Sequence, residues 1–452
     1  MLLAIPGEVT FFLSLALMII GNGFFKPNIS TLLGNLYSQP EYKSNKDAGY
    51  NIFYMGINIG AFICNFLAAY LRNHYGWGYA FFAAGVGMFI GVLIFWIGNK
   101  HYKHADVIKE KKPEDMSVSK ILSIVLVPAI VAGILGWYIP GNIFGSDSTD
   151  AFLFGAIPIV LFYVSLLIRS SDEDRKPISA LLAIMGVVII FWAIFKQNGT
   201  ALTTWAESYT NRELPESIVP ITKALGMVQE VTYEKDSVTQ IDNQFRLIKD
   251  SDGKPVKTVD FPHYFLNMPN SELPNEGESV HLISTELFQS VNPFFVIVLT
   301  PLVVGFFLWT RRKNIEPSTA GKIFWGLIIT ALSTLIMIAA VRVGMNGQEK
   351  VSAWWLIGTY GVITVGELCL SPMGLSLVSK LSPPRLTALM MGGWMLSTSI
   401  GNKLSGVLSS LWDTYENKEY FFLVNCMIVL VAAISIFFML KWLNSILKEH
   451  GG

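Results

Sequence analysis

The chain has 452 residues, 52% of them hydrophobic and 15% charged, and its 33 Lys plus Arg balance its 33 Asp plus Glu. Soluble domains carry about 25% charged residues, so a polytopic helical membrane protein is expected. A formal net charge of zero gives no reason to expect a nucleic-acid or other polyanion partner.

Eleven hydrophobic segments follow one another, at roughly 8–36, 47–71, 78–98, 119–138, 151–168, 178–198, 285–310, 320–343, 352–377, 386–411 and 420–446. Each approaches or exceeds the ~18–20 residues that cross a hydrocarbon core. The first carries Lys26 between Phe25 and Pro27. A lysine there needs a partner, a cavity or a route to the headgroups. The second carries Tyr54 and Asn58, one turn apart on one helical face. An amide cannot be left to lipid, so this face is expected to look into protein or a wet cavity. Gly56 with Gly60 and Gly87 with Gly91 have the spacing of close helix contacts. Pro27, Pro293 and Pro372 fall near polar positions and mark expected kinks.

Basic residues alternate between loops: Lys100, Lys103, Lys109, Lys111 and Lys112, then Arg169, Arg175 and Lys176, then Arg311, Arg312 and Lys313, then Lys380 and Arg385, then Lys441 and Lys448. These loops are assigned to the cytoplasm, and the loop at 139–150, with Asp147 and Asp150, to the outside. The N-terminus then falls outside with no signal to place it there, and an odd number of further helices would return it to the cytoplasm. The stretch 207–284 is polar. It is expected to form an external subdomain with some β structure, including a hairpin at Asp252-Gly253 between 245–248 and 255–259.

Glu367 lies midway along an apolar segment, with Ser371 one turn on along the same face. A carboxylate at that depth suits a carrier that takes up and releases a proton. Lys26 and Glu367 are expected to pair across a central cavity in one conformation, with protonation of Glu367 releasing Lys26. Cys64, Cys369 and Cys426 sit in separate apolar segments and are expected to be buried small hydrophobes. Without a hydrolase elbow, a metal-ligand spacing or a phosphate-cradling loop, neither an enzyme nor a cofactor is expected.

The run Phe53-Tyr54-Met55-Gly56-Ile57-Asn58-Ile59-Gly60-Ala61-Phe62 resembles the signature of the proton-dependent oligopeptide transporters, a branch of the major facilitator superfamily. It resembles that family's fifth helix, and 21–28 its fourth. Phe191–Gln197 resembles the seventh, Gln289–Pro293 the eighth, Gly366–Leu368 with Ser371-Pro372 the tenth, and Gly392-Gly393-Trp394 the eleventh. The segments at 119–138 and 151–168 match an extra helix pair between two six-helix bundles.

The resemblance implies a major facilitator fold, N-terminally incomplete. Residues 1–98 would be a partial N-terminal bundle of three helices, 99–177 a basic loop and the helix pair, and 178–452 a C-terminal six-helix bundle with 207–284 as its insertion. It implies proton-coupled symport of di- and tripeptides across a bacterial inner membrane, with the lipid bilayer, protons and peptide as partners and the proton gradient as energy source. Lys26, Asn58 and Asn292 match positions lining the peptide cavity, with Tyr54 and Ser371 on the same walls. Trp192 and Trp394 match lining aromatics. Glu367 matches the carboxylate that receives the peptide amine and joins in proton coupling, where Lys26 is its expected partner.

Two departures stand out. The match begins at the fourth helix, so the first three and their Glu-x-x-Glu-Arg motif are missing from it, and a truncated, inactive form is one expectation. Lys196 stands where peptide carriers usually have a carboxylate. Alternative readings are a carrier of another small solute such as nitrate, or a non-transporting membrane remnant or assembly partner.

Overall fold

A computed structural model describes residues 1–106, 117–224, 227–242, 248, 250–251 and 254–450. The chain is an all-α polytopic membrane protein. Its long helices are α1 (Glu8–Leu36), α2 (Lys46–Tyr75) and α3 (Trp77–Ile97), followed by a single turn, α4 (Asn99–Tyr102). Then come α5 (Val118–Trp137), α6 (Asp147–Arg169), α7 (Asp172–Phe195) and the short α8 (Ala201–Ser208) and α9 (Val219–Ala224). The set ends with α10 (Phe288–Arg312), α11 (Thr319–Val343), α12 (Ala353–Leu381), α13 (Thr387–Thr414) and α14 (Lys418–His450).

Serines set several starts. The side chains of Ser117, Ser146, Ser171, Ser318 and Ser352 accept backbone N–H bonds from the first turns of α5, α6, α7, α11 and α12. Such caps satisfy donors that a helix leaves open at its N-terminus. Asp172, Glu173 and Asp174 add negative charge to the first turn of α7, where the helix dipole favours it.

Ten helices among the described residues are long and apolar enough to cross a membrane. The eleventh expected segment is the 28-residue helix α13. It is absent from that set, and its many Ser, Thr and Gly residues, with Asn402 and Lys403, make it more polar. Pro27, Pro293 and Pro372 all lie inside continuous helices.

Burial divides the helices. Only 6% of the apolar window of each of α1, α2 and α3 is buried, against 61% for α7 and 83% for α12. The principal core is built on α7 and α11–α14. The pair α5–α6 packs on itself and reaches this core through Tyr163, whose hydroxyl donates to the Leu389 carbonyl at 2.8 Å.

The expected glycine contacts are not where the spacing put them. A Cβ on Gly56, Gly60, Gly87 or Gly91 would meet nothing within 4 Å. These glycines are exposed, because small residues permit approach but do not by themselves create it. Close approach occurs instead at Gly326 and Gly366. A Cβ on Gly326 would sit 2.7 Å from the Gly366 carbonyl oxygen, and one on Gly366 2.8 Å from that of Gly326. Here α11 and α12 touch backbone to backbone, next to Glu367. Cys369 and Cys426 are buried as expected, but Cys64 is exposed, since its helix lies at the periphery.

The polar stretch contains short strands. β1 (Thr210–Asn211) pairs in parallel with β6 (Val351–Ser352), which ties the stretch to the start of α12. β2 (Val228–Thr232) is antiparallel to β5 (Ser279–Ile283), and β3 (Asp236–Thr239) to β4 (Lys257–Asp260). The expected 255–259 strand is thus present, paired principally with 236–239. Asp252-Gly253 and 245–247 lie outside the described residues.

Lys350, just before β6, is half-buried; it donates to the Ser208 carbonyl at 3.3 Å and lies 4.2 Å from the centroid of the Tyr264 ring. Burial, helped by the Arg212 charge and opposed by Glu213, pushes its ammonium down to about 7. An unfolded lysine keeps its proton to about pH 10.4, so attachment of this stretch strengthens as pH rises from about 7 towards 10. Amide protection in β1 and β6, corrected for intrinsic exchange, should rise severalfold between pH 7 and 9, and a Lys350→Met protein should lose that dependence.

Candidate functional site

Glu367 is the centre of the site. It sits in α12, 2% exposed, immediately after the Gly326–Gly366 contact that fixes α12 against α11. The Tyr54 hydroxyl donates to one carboxylate oxygen at 2.5 Å, and Asn292 Nδ2 donates to the other at 2.8 Å. Asn292 Nδ2 also reaches Thr364 Oγ1 at 2.9 Å, and the Thr364 hydroxyl donates to the Tyr360 carbonyl at 2.6 Å. Donors from α2 and α10 thus converge on an acceptor from α12. Hydrogen bonds to an ionised group are the stronger kind, and here they join the peripheral α2 to the core.

The remaining expected residues fall in several places. Ser371 is buried beside the Tyr54 phenol. Asn58 is buried, but its amide donates back to the Tyr54 carbonyl at 2.9 Å, so it steadies the turn that presents Tyr54. About two helical turns further along α2, Asn65 Nδ2 donates to Ser290 Oγ at 3.0 Å, a direct polar tie between α2 and α10. Trp192 is buried near the end of α7, where Gly401 of α13 packs against it. Trp394 is 2% exposed, its ring laid against Gly374, where no Cβ would fit. Both tryptophans are therefore core side chains in this conformation.

Lys196 ends α7 and is half-buried, its ammonium 5.8 Å from the Trp192 ring centroid and near enough for its charge to act on Glu367. Lys26 is exposed on α1, and no ion pair joins it to Glu367 among the described residues. In this conformation Tyr54 and Asn292 occupy the carboxylate instead.

A second buried cluster was not anticipated. Asp47, at the start of α2, is 6% exposed. It accepts from Lys322 Nζ at 2.8 Å, Lys380 Nζ at 2.6 Å, Ser376 Oγ at 2.5 Å and Thr319 Oγ1 at 3.1 Å. Lys322, 1% exposed, also meets Glu316 at 2.6 Å, and Glu316 is held by Arg311 at 2.6 Å. One carboxylate of α2 is thereby locked to α11 and α12, about two helical turns from Tyr54. The available signal was Asp47 standing just before the Phe53–Phe62 run, with Lys322 and Lys380 near helix ends that also read as interfacial charges.

The model of the POT family matches residues 6–228 and 275–424. A di-/tripeptide transporter of Lactococcus lactis subsp. lactis is 25% identical over 441 residues, covering 96% of this chain and 76% of that protein. An uncharacterized transporter, YclF, of Bacillus subtilis is 26% identical over 431 residues, covering 93% and 72%. Among solved structures, a peptide transporter POT in complex with sulfate is 26% identical, with a TM-score of 0.60, covering 100% of this chain and 78% of that one. A variant of a peptide transporter POT in complex with alafosfalin is similar at 25% identity and a TM-score of 0.59, covering 98% and 77%.

Removing one partner of a buried charge network leaves the others uncompensated, at a cost of about 3–5 kcal/mol. Asp47→Asn is therefore expected to lower the thermal unfolding midpoint in detergent sharply. Asp47→Asn with Lys380→Met should recover part of that loss, since Lys322 keeps Glu316. Coupling between the two substitutions below about 0.5 kcal/mol, the level of independent sites, would contradict the network.

Proposed function

The chain belongs to the POT family, and on that premise we propose that it carries di- and tripeptides across a bacterial inner membrane, driven by protons. The observation that supports this most directly is the Glu367 carboxylate, held in the membrane interior by donors from helices on both sides of it. A zwitterionic peptide with variable side chains is best recognised by its charged ends. Its ammonium group can replace the Tyr54 and Asn292 donors at Glu367, because an ionised carboxylate accepts bonds on both oxygens. Protonation of Glu367 removes the charge that holds the ammonium. A proton and a peptide amine both act at this group, which ties their movements together; inward co-transport further requires the proton to pass to a second acceptor as the ammonium binds, since competition for one group alone would give exchange.

The conformation supports a place in such a cycle. Asp47, Lys322 and Lys380 close α2 against α11 and α12 at the end that the loop charges assign to the cytoplasm. Opening towards the cytoplasm then requires that network to part, while the bonds at Glu367 are exchanged for substrate. The peripheral position of α1–α3 fits a group of helices that moves against the core as a unit.

A second reading, a carrier of a small anion such as nitrate, has one observation in its favour: the Lys196 ammonium near the site. Reconstitution of the full chain into proteoliposomes separates the two. Labelled Ala-Ala should accumulate when the outside is about one pH unit more acidic than the lumen, and a protonophore should abolish the accumulation. Gradient-driven uptake of nitrate without uptake of Ala-Ala would favour the second reading; uptake of neither would exclude both.

A further inference from the structure

The polar stretch between α7 and α10 borders a trough that the site at Glu367 does not use. Its volume is about 470 Å³, within the range of roughly 300–1,000 Å³ that holds a small molecule. One wall is the β3–β4 ribbon with the residues that follow each strand. The other includes Gly347 and Gln348, where α11 has ended and the chain runs on to β6.

The ribbon makes the trough long. Residues 238–242 all border it. The pairing of β3 continues past Thr239, since the Gln240 N–H donates to the Val256 carbonyl at 2.7 Å. At about 3.3 Å per residue these positions span roughly 13 Å, the length of a short extended chain. The charge of the lining has one sign. Asp242 lies at the far end of that segment and Asp260 at the end of β4, and no lysine or arginine lines the trough. Lys235 rests over the Phe261 ring at 5.6 Å but is not a lining group. The Asp260 carboxylate accepts a single bond among the described residues, from the Phe261 N–H at 2.8 Å.

A buried acceptor adds an independent demand. Asn267 is 7% exposed and lines the trough. Its Nδ2 donates to the Ser208 carbonyl at 2.9 Å and to the Gly347 carbonyl at 3.2 Å, while its Oδ1 has no partner. A buried acceptor without a donor is unfavourable, and a ligand N–H would complete it. Two carboxylates and an amide oxygen along one elongated wall are complementary to ammonium and amide donors.

We propose that this trough binds an extended organic cation with two ammonium groups, one received by Asp260 and the other by Asp242, and with an N–H donated to Asn267. Through Asn267 the ligand bears on the turn between α11 and α12, the two helices that touch beside Glu367. The cation has two possible sources, a short peptide with a basic side chain or an alkyl diamine. The site is separate from the one at Glu367 and stands whether or not the carrier reading holds.

The test is titration calorimetry of the full chain in detergent with 1,5-diaminopentane, Ala-Lys-amide and, as a monocation, 1-aminopentane. The better dication should bind at least about tenfold more tightly than the monocation, the worth of one charge-assisted contact. Tighter binding of Ala-Lys-amide assigns a peptide, and tighter binding of diaminopentane a diamine. Asp242→Asn and Asp260→Asn should each weaken the dication by about tenfold. Thr258→Lys, which sets a competing cation on the β4 wall, should do the same with both carboxylates in place. Glu367→Gln should change its affinity by less than about twofold, as distant independent sites do. The bound dication should also raise amide protection at 238–242 and 345–348. Two ammonium groups that bind no better than one would overturn the inference, as would affinity unchanged in all three trough variants. Binding lost in Glu367→Gln but kept in the trough variants would overturn it too, by assigning the cation to the membrane site.

Discussion

A carboxylate inside a membrane protein has to be given hydrogen-bond donors by the protein, because lipid offers none. Glu367 obtains its donors from Tyr54 of α2 and Asn292 of α10. Much of the architecture can be read as a consequence. The Gly326–Gly366 contact places α12 against α11 so that Glu367 faces α2 and α10. The Asn58 amide turns back to hold the Tyr54 carbonyl, so that the phenol is presented at a defined height. Without these supports the carboxylate would be a buried charge with nothing to answer it, a condition that proteins relieve by taking up a proton or by losing structure.

The same rule operates two turns away with opposite charges in excess. Asp47 is one carboxylate between two lysines, and Glu316 and Arg311 complete the set. Together the two clusters fasten α2 to the core at two levels. They differ in what can replace their partners. The Asp47 network is closed on itself, with protein groups answering each charge. The site at Glu367 is open in the chemical sense, since its donors, Tyr54 and Asn292, are neutral groups that a substrate ammonium can displace. A carrier needs both kinds: a lock that is satisfied when shut, and a site whose satisfaction depends on cargo.

How much of this was legible in the sequence follows from where each charge lies. Glu367 stands in the middle of an apolar run, where neither lipid nor headgroups can accommodate it, so its importance was plain. Tyr54 and Asn58 shared a helical face, and that face does turn towards protein. Asn292 was carried by resemblance to the family and does meet Glu367. Asp47 and Lys322 were not picked out, and Lys380 was read only as a cytoplasmic loop charge, because a charge near a helix end has an ordinary explanation at the membrane surface. Only three-dimensional proximity distinguishes a lock from a row of interfacial charges. The glycine pairs failed for the converse reason. Spacing shows where backbones are able to meet, whereas the contact that matters, Gly326 with Gly366, joins two helices and has no short-range signature. Trp394 illustrates a third limit: a large ring beside a glycine on another helix reads equally as core or as cavity wall.

The most direct measurement is concentrative dipeptide uptake by wild-type and Glu367→Gln proteins reconstituted at equal density under an inward proton gradient. Glutamine keeps the size of the side chain while removing its charge and its titratable proton; its Nε2 donates where a carboxylate oxygen accepted, so only one of the two acceptor positions at this site is kept. The wild type should raise internal Ala-Ala well above the external concentration, and the variant should not exceed equilibration. A Glu367→Gln protein that concentrates the peptide as the wild type does would contradict a carboxylate-centred mechanism.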